Sequence, residues 1–286
     1  MTEERQEKYK PSYRAVFNTL RYIFYYISLY KYKGAKMDLD RVIAVRTNKT
    51  VFRDGELCVK VFEKSFSKAD VLNEALNQAR VETTSLSVPK LREVTTIDGK
   101  WVIVSDFVAG KTLERLMEEN PDRKHELLDK FVSLQVEIQS QSCPLLVGLR
   151  DKLKKRIALA KLSDEVKSRL YDSLEQMPKH TKLCHGDFNP SNIIVGNDGK
   201  YYIFDWAHAT VGNASADAAR TYLLFWLEGK ISRAEEYLDL YCVKTNTEKK
   251  YVKKWLPVVA AAQSVTCRQN EREFLLAWAN AKEEDL

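Results

Sequence analysis

Apolar and polar residues alternate over Leu39–Arg46, then over Val51–Arg53 and Glu56–Phe62 on either side of Asp54-Gly55. An alternation of two residues is the signature of half-buried strands, and Asp-Gly between two such runs is a hairpin turn signal. A helix is predicted over Lys68–Glu82, followed by two further strands, Lys90–Ile97 and Lys100–Phe107, about Asp98-Gly99. Beyond them the apolar period lengthens to that of a helix. Leu127, Phe131, Leu134 and Ile138 mark a core helix from about Asp122 to Gln141. Leu149–Lys161 and Asp164–Met177 follow as helices, with Ser163 as N-cap of the second. A β-like Ile193-Ile194-Val195, a Gly196–Gly199 turn and a second apolar run ending at Asp205 form a hairpin. Four helical stretches complete the chain: Asp217–Glu228, Ser232–Val243, Lys249–Ala262 and Arg268–Lys282. Strands come first and helices afterwards, without internal repeats or low-complexity linkers.

The chemistry-bearing residues lie on that hairpin. His185-Gly186-Asp187-Phe188-Asn189-Pro190-Ser191-Asn192 leads into it, and Ile203-Phe204-Asp205-Trp206 closes it. One carboxylate, a carboxamide five residues later and a second carboxylate after the hairpin match what phosphoryl transfer requires. That reaction needs an acceptor hydroxyl held in line and metal ions on the phosphate oxygens. Asp187 suits the hydroxyl as catalytic base. Asn192 and Asp205 offer hard oxygens to Mg²⁺. The protein-kinase pattern is H-R-D-x-x-x-x-N followed by D-F-G; here Gly186 replaces the Arg and Trp206-Ala207 replace Phe-Gly.

HGDFNPSN together with IFDWAHA resembles the aminoglycoside phosphotransferase and choline kinase-like family of the protein-kinase-like superfamily, from about residue 38 onward. The resemblance implies an α+β, two-lobed protein-kinase-like fold. Its small N-lobe would be an antiparallel β-sheet with one helix, and its larger C-lobe mainly helical, with ATP or another nucleoside triphosphate between them. The domain limits expected are 1–37 for a basic, Tyr-rich extension, 38–109 for the N-lobe and 110–286 for the C-lobe with the catalytic loop. Lys60, in Val59-Lys60-Val61, becomes the phosphate lysine, and Glu74, fourteen residues on, its helix partner; Glu82 is the alternative partner. Backbone groups at Asp106 and Val108 would hold adenine, and Gly110 would let the chain turn into the C-lobe. Thr47-Asn48-Lys49-Thr50 would lie over the phosphates, although it lacks a Gly-rich pattern. His185 is expected to brace the loop and Asp217 to anchor it. His208 is either an acceptor-facing residue or an ordinary histidine.

The span from Asp205 to Asp217 is short, and no A-P-E follows it. That leaves little platform for a peptide, so the expected acceptor is a hydroxyl of a small molecule: aminoglycoside, sugar or amino-alcohol. Residues 217–286 hold eleven acidic and eleven basic side chains, so no acidic excess favours a polycationic drug. The alternative function is a catalytically inactive kinase-like module that binds nucleotide or a partner. The joint presence of Lys60, Asp187, Asn192 and Asp205 argues against it.

Composition and charge narrow the picture further. With 44% hydrophobic and 30% charged residues the chain is globular. Five scattered cysteines without a CxxC read as reduced thiols, not a disulfide framework or zinc site. No signal peptide is expected, since Met1–Lys10 carries both signs of charge; the cytoplasm is the expected location. The net charge is +6, and residues 1–36 hold eight Lys/Arg against three Asp/Glu. The near-neutral remainder is not a general nucleic-acid binder. The extension carries seven of the fourteen tyrosines. Its helical faces divide into Arg14, Asn18, Arg21, Tyr25, Ser28 and Tyr32 against Val16, Leu20, Ile23 and Ile27. Three readings fit it: a peripheral membrane helix, a packing helix against the N-lobe or a partner, or residues preceding a start at Met37. Oligomeric state is left open.

Overall fold

The computed structural model describes residues 41–46 and 48–282, together with the two-residue strands β1 (Lys31–Tyr32) and β2 (Ala35–Lys36). The extension helix as far as Ser28 and the acidic tail at 283–286 lie outside the described residues, while Tyr32, expected on that helix's polar face, lies in β1 paired with Ala35. Two compact units are present. One ends at Val71 and takes in Arg92–Phe107; the other holds Leu72–Leu91 and continues from Val108.

The first unit is built on an antiparallel sheet of β3 (Arg41–Arg46), β4 (Lys49–Asp54), β5 (Leu57–Phe62), β6 (Leu91–Ile97) and β7 (Lys100–Asp106), ordered β3-β4-β5-β7-β6. Asp98 (φ 51°) and Gly99 (φ 70°) turn β6 into β7. Left-handed backbone at both central residues matches the right-handed twist of the strands they join. One face of the sheet buries Phe52, Val59, Val102 and Val104, each worth about 1.5–3 kcal/mol of apolar transfer. Lys60 sits on the central strand β5, opposite Val51 on one side and Ile103 on the other. Helix α1 (Lys68–Val81) starts beside Ser67, whose hydroxyl accepts the Asp70 N–H at 3.1 Å.

The second unit is helical. It contains α2 (Leu113–Glu119), α3 (Lys124–Ser140), α4 (Leu149–Leu159), α5 (Asp164–Gln176), α6 (Ala214–Leu227), α7 (Ile231–Thr245), α8 (Lys249–Lys253), α9 (Leu256–Ser264) and α10 (Arg272–Asn280). Two small sheets interrupt the helices: β8 (Gly110–Thr112) with the hairpin β10 (Ile193–Gly196) and β11 (Tyr201–Ile203), and β9 (Lys182–Cys184) with β12 (Thr210–Gly212). All four residues of the predicted α3 stripe, Leu127, Phe131, Leu134 and Ile138, are buried, and Ser163 caps α5 by accepting the Val166 N–H.

Two expectations need correction. The single helix over Lys249–Ala262 is broken at Lys254-Trp255 into α8 and α9, because Pro257 has no N–H to continue the ladder and sits in the first turn of α9. The last stretch begins as a 3₁₀ turn, Gln269–Glu271, before α10. Among the described residues no helix is long and apolar enough to cross a membrane.

Candidate functional site

The loop that carries Asp187 is suspended between β9 and β10 and held from beneath by buried groups. Gly186 has φ +78°, and a Cβ there would lie 2.5 Å from the His208 carbonyl oxygen, so the position takes glycine. The Gly186 N–H donates to Asp217 Oδ1 at 2.7 Å, and Asp217 itself is buried at the start of α6. His185 is fully buried. Its Nδ1 accepts the Asp187 N–H at 3.2 Å and its Nε2 meets the Phe204 carbonyl at 3.1 Å. One nitrogen accepting while the other donates defines a neutral imidazole. Burial pushes its pKa down despite the Asp217 and Asp187 charges. His185 is thereby fully occupied in tying the loop to the end of the hairpin.

Phe188 is fully buried and packs edge-on against the His185 ring, with centroids 5.8 Å apart. It stacks on Phe131 of α3 with centroids 4.4 Å apart, and its carbonyl accepts the Thr221 hydroxyl at 3.0 Å. This pins the loop to the core. Asn189 then caps a 3₁₀ turn, Pro190–Asn192, by accepting the Ser191 N–H at 3.1 Å. The turn aims Asn192 back at Asp187. Asn192 Nδ2 donates to the Asp187 carbonyl at 2.9 Å and to its Oδ2 at 3.2 Å. With the amide nitrogen so engaged, Oδ1 is the atom of Asn192 left for a cation. Across the hairpin the Phe204 N–H donates to the Asn192 carbonyl at 3.1 Å, which sets the register of Asp205. Asp205 itself has φ 66° and ψ 56°. Left-handed backbone is uncommon for a residue with a side chain, costs on the order of 1–3 kcal/mol, and clusters at functional sites.

Asp187, Asn192 and Asp205 are thus brought together on one loop and hairpin of the helical unit. Asn192 and Asp205 supply oxygen donors of the kind Mg²⁺ prefers, and Mg²⁺ is usually bound by one or two protein oxygens plus substrate phosphates. The donor set fits that ion. No group of three or more His, Cys, Asp or Glu gathered as a metal cage occurs among the described residues. Glu74 lies buried in the part of α1 that belongs to the same unit, and the alternative Glu82 is engaged locally, accepting the Leu91 N–H at 2.5 Å. Lys60 and Asp106 belong to the sheet unit. Asp106 closes β7 opposite Leu57, with its carboxylate on Arg92 at 2.5 and 3.1 Å. Val108 follows in the connection between β7 and β8. In the Thr47–Thr50 turn, Thr47 lies outside the described residues, while Lys49 and Thr50 open β4.

Several functional neighbours have no motif in the sequence. Arg220 of α6 donates from Nε to the Gly186 carbonyl at 3.3 Å and places a second nitrogen 3.7 Å from Asp187 Oδ1. Lys152 of α4 donates to the His208 carbonyl at 2.9 Å. Its pKa is pushed down to about 8, first by burial and then by Arg156 and Arg220. His208 is exposed; partial shielding from water and then the Lys152 charge push its imidazole pKa down. Gln135 of α3 supports the anchor beneath, donating to Asp217 at 3.3 Å while accepting the Tyr237 hydroxyl at 2.5 Å. Of these, His208 stands out in the sequence three residues after Asp205, and the four-residue spacing of Lys152 and Arg156 puts both on one helix face; Arg220 and Gln135 carry no such signal.

This combination of sheet unit, helical unit and HGD loop is a kinase-like fold of the phosphotransferase class. The model of the phosphotransferase enzyme family (APH) matches residues 41–252, and the chain belongs to that family. Solved structures agree at the level of the fold. A choline/ethanolamine kinase family protein from Mesorhizobium loti is 15% identical, with a TM-score of 0.58 over 93% of this chain and 96% of the other. Aminoglycoside phosphotransferase APH(4)-Ia is 16% identical, with a TM-score of 0.61 over 94% and 96%. The choline kinase LicA from Streptococcus pneumoniae is 15% identical, with a TM-score of 0.54 over 79% and 82%. No curated protein matches the sequence at a significant level.

Proposed function

We propose that the protein transfers the γ-phosphoryl group of ATP, or another nucleoside triphosphate, to a hydroxyl group of a small molecule. The observation that carries this reading is the doubly bonded Asn192 amide. It holds the Asp187 carboxylate and leaves its own oxygen for a cation, on the same loop and hairpin as a left-handed Asp205. Similar folds have been solved with a nucleotide and an aminoglycoside together, as in the APH(4)-Ia complexes with AMP-PNP and hygromycin B. For this chain the acceptor is a separate question.

In the proposed reaction the bond between the γ-phosphorus and its bridging oxygen breaks, and the nucleoside diphosphate leaves with the electron pair. A new bond forms from the acceptor oxygen to phosphorus. Asp187 holds the hydroxyl in line and receives its proton, which passes on to solvent. Asn192 Oδ1 and the Asp205 carboxylate would hold Mg²⁺, which supplies charge neutralisation on the phosphate oxygens. Lys60 contributes a cation toward the phosphates, with Glu74 as its orienting partner, and the backbone at Asp106 and Val108 receives the base. Catalysis of this kind is mostly positioning and electrostatics. The brace of His185, Asp217 and Phe188 therefore matters as much as the carboxylate, because it fixes where that carboxylate stands.

The test is a phosphate-transfer screen over hydroxyl compounds, read by mass, with wild type and Asp187→Asn. Transfer by the wild type that disappears in the variant, with Mg–ATP binding retained in both, is the expected result. Nucleotide binding without transfer to any acceptor would favour a catalytically inactive binding module.

A further inference from the structure

Next to the loop, and wholly within the helical unit, lies an open cleft of about 80 Å³. Its walls carry Lys152 and Arg156 from α4 and Asp217 and Arg220 from α6, and Gly186 and His208 close it on the loop side. Three cations and one carboxylate therefore line it; that carboxylate is committed to the Gly186 N–H and the Gln135 amide, and Asp187 Oδ1 stands 3.7 Å from Arg220. Lys152 and Arg156 donate to neutral oxygens, the His208 carbonyl at 2.9 Å and the Thr266 hydroxyl at 3.1 Å. Arg220 leans on the Asp187 and Asp217 charges, with a weaker pull from Glu271. The pKa of Lys152 is depressed first by burial and then by the neighbouring Arg156 and Arg220 charges. Between the cations the lining is apolar, with Leu149, Leu153 and Val259.

Resting on the phosphotransfer reading above, we infer that this cleft receives the acceptor and that the acceptor is an anion. It would be a small hydroxyl compound bearing a carboxylate or phosphate, its charge against Lys152, Arg156 and Arg220 and its hydroxyl at Asp187. Arg220 joins the two functions, since it touches the loop and lines the cleft. An anionic group relieves the repulsion among the three cations, whereas a quaternary amine or polyamine adds to it. The geometry thus selects against the positively charged acceptors that some solved relatives are named for.

Binding and transfer are to be measured separately on the full chain with Mg–ADP and Mg–ATP respectively. The probes are gluconate, glucose 6-phosphate and inorganic phosphate as anions, glucose as neutral control, and choline and neomycin as cations. Calorimetry is expected to detect anions and neither cation. Lys152→Met and Arg156→Gln should each weaken the anion by about tenfold or more, a loss of about 1.4 kcal/mol, with a melting temperature no lower than that of the wild type and Mg–ATP affinity retained. Arg156→Lys, which keeps the charge, should keep most of the affinity. Preference for choline or neomycin, anion affinity indifferent to both substitutions, or no anion bound at millimolar concentration would each overturn the inference. The two failures are distinguishable. Anion binding through Lys152 and Arg156 without transfer to any acceptor removes the phosphotransfer reading and leaves the anion site. Transfer to choline or neomycin without anion preference removes the anion site and leaves phosphotransfer.

Discussion

The two flanks of Asp187 are built on opposite principles. On the Asn192 side each buried polar group has a partner: His185 uses both ring nitrogens, Asp217 takes the Gly186 N–H, and Asn192 donates twice. On the Arg220 side three cations share a cleft with one committed carboxylate. The first arrangement is stable by itself and holds a reactive group still. The second is complete only with a ligand of opposite charge. Rigidity for chemistry and unbalanced charge for binding are thus separated across one residue. Substitutions on the two flanks should therefore have opposite effects on stability.

The largest effect is expected from Asp217→Ala. It removes the acceptor of the Gly186 N–H and leaves Arg220 and Lys152 less compensated, so stability in urea should fall by about 3–5 kcal/mol, the scale for breaking a buried charged cluster. A loss below about 1 kcal/mol, the scale of an exposed pair, would erase the contrast between the flanks. Gly186→Ala comes next. Its Cβ meets the His208 carbonyl at 2.5 Å on a backbone with φ +78°, so a cost of about 1–3 kcal/mol is expected, measured in the same denaturation.

The loop flank also predicts a pH dependence. His185 is held neutral, with its folded pKa below the ordinary value. In the unfolded chain it protonates below about pH 6.5 while the folded form does not, so stability falls as pH drops through that range, by at most about 1.4 kcal/mol per pH unit. Comparing the acid limb of wild type with His185→Gln checks this; equal slopes would contradict it. The smallest effect belongs to the cleft and has the opposite sign. Lys152→Met removes a crowded cation and should raise stability at pH 7 by roughly 1 kcal/mol, allowing for solvent screening. Wild-type Lys152, with its pKa near 8 against 10.5 when unperturbed, sheds its proton first in the folded state. The wild type therefore gains stability between pH 8 and 10.5, and the advantage of the variant should shrink across that window.

The same contrast explains what the chain discloses before folding. The loop residues are contiguous, and their spacing is dictated by a tight turn and a hairpin, so His185, Asp187, Asn192 and Asp205 can be read in a line of text. The Asp98-Gly99 turn and the α3 stripe are legible for the same local reason. The cleft is not. Lys152 and Arg156 share a helix face, but Arg220 comes from another helix, and its company depends on how α4, α6 and the loop pack. A charge count hides it as well: eleven acidic and eleven basic residues over 217–286 cancel, and Lys152 and Arg156 lie outside that stretch. The break before α9 is hard to read because apolar Val252, Trp255 and Leu256 keep a helical spacing on either side of it, and only Pro257 marks the boundary.

Steady-state kinetics of Asp187→Asn and Arg156→Gln on one anionic acceptor test the division most directly. Asp187→Asn should lower kcat by about 10²–10⁴-fold, the usual scale of general-base assistance, with Mg–ATP affinity retained. Arg156→Gln should raise KM for the acceptor with kcat largely kept. A wild-type kcat in Asp187→Asn would contradict the account at its centre.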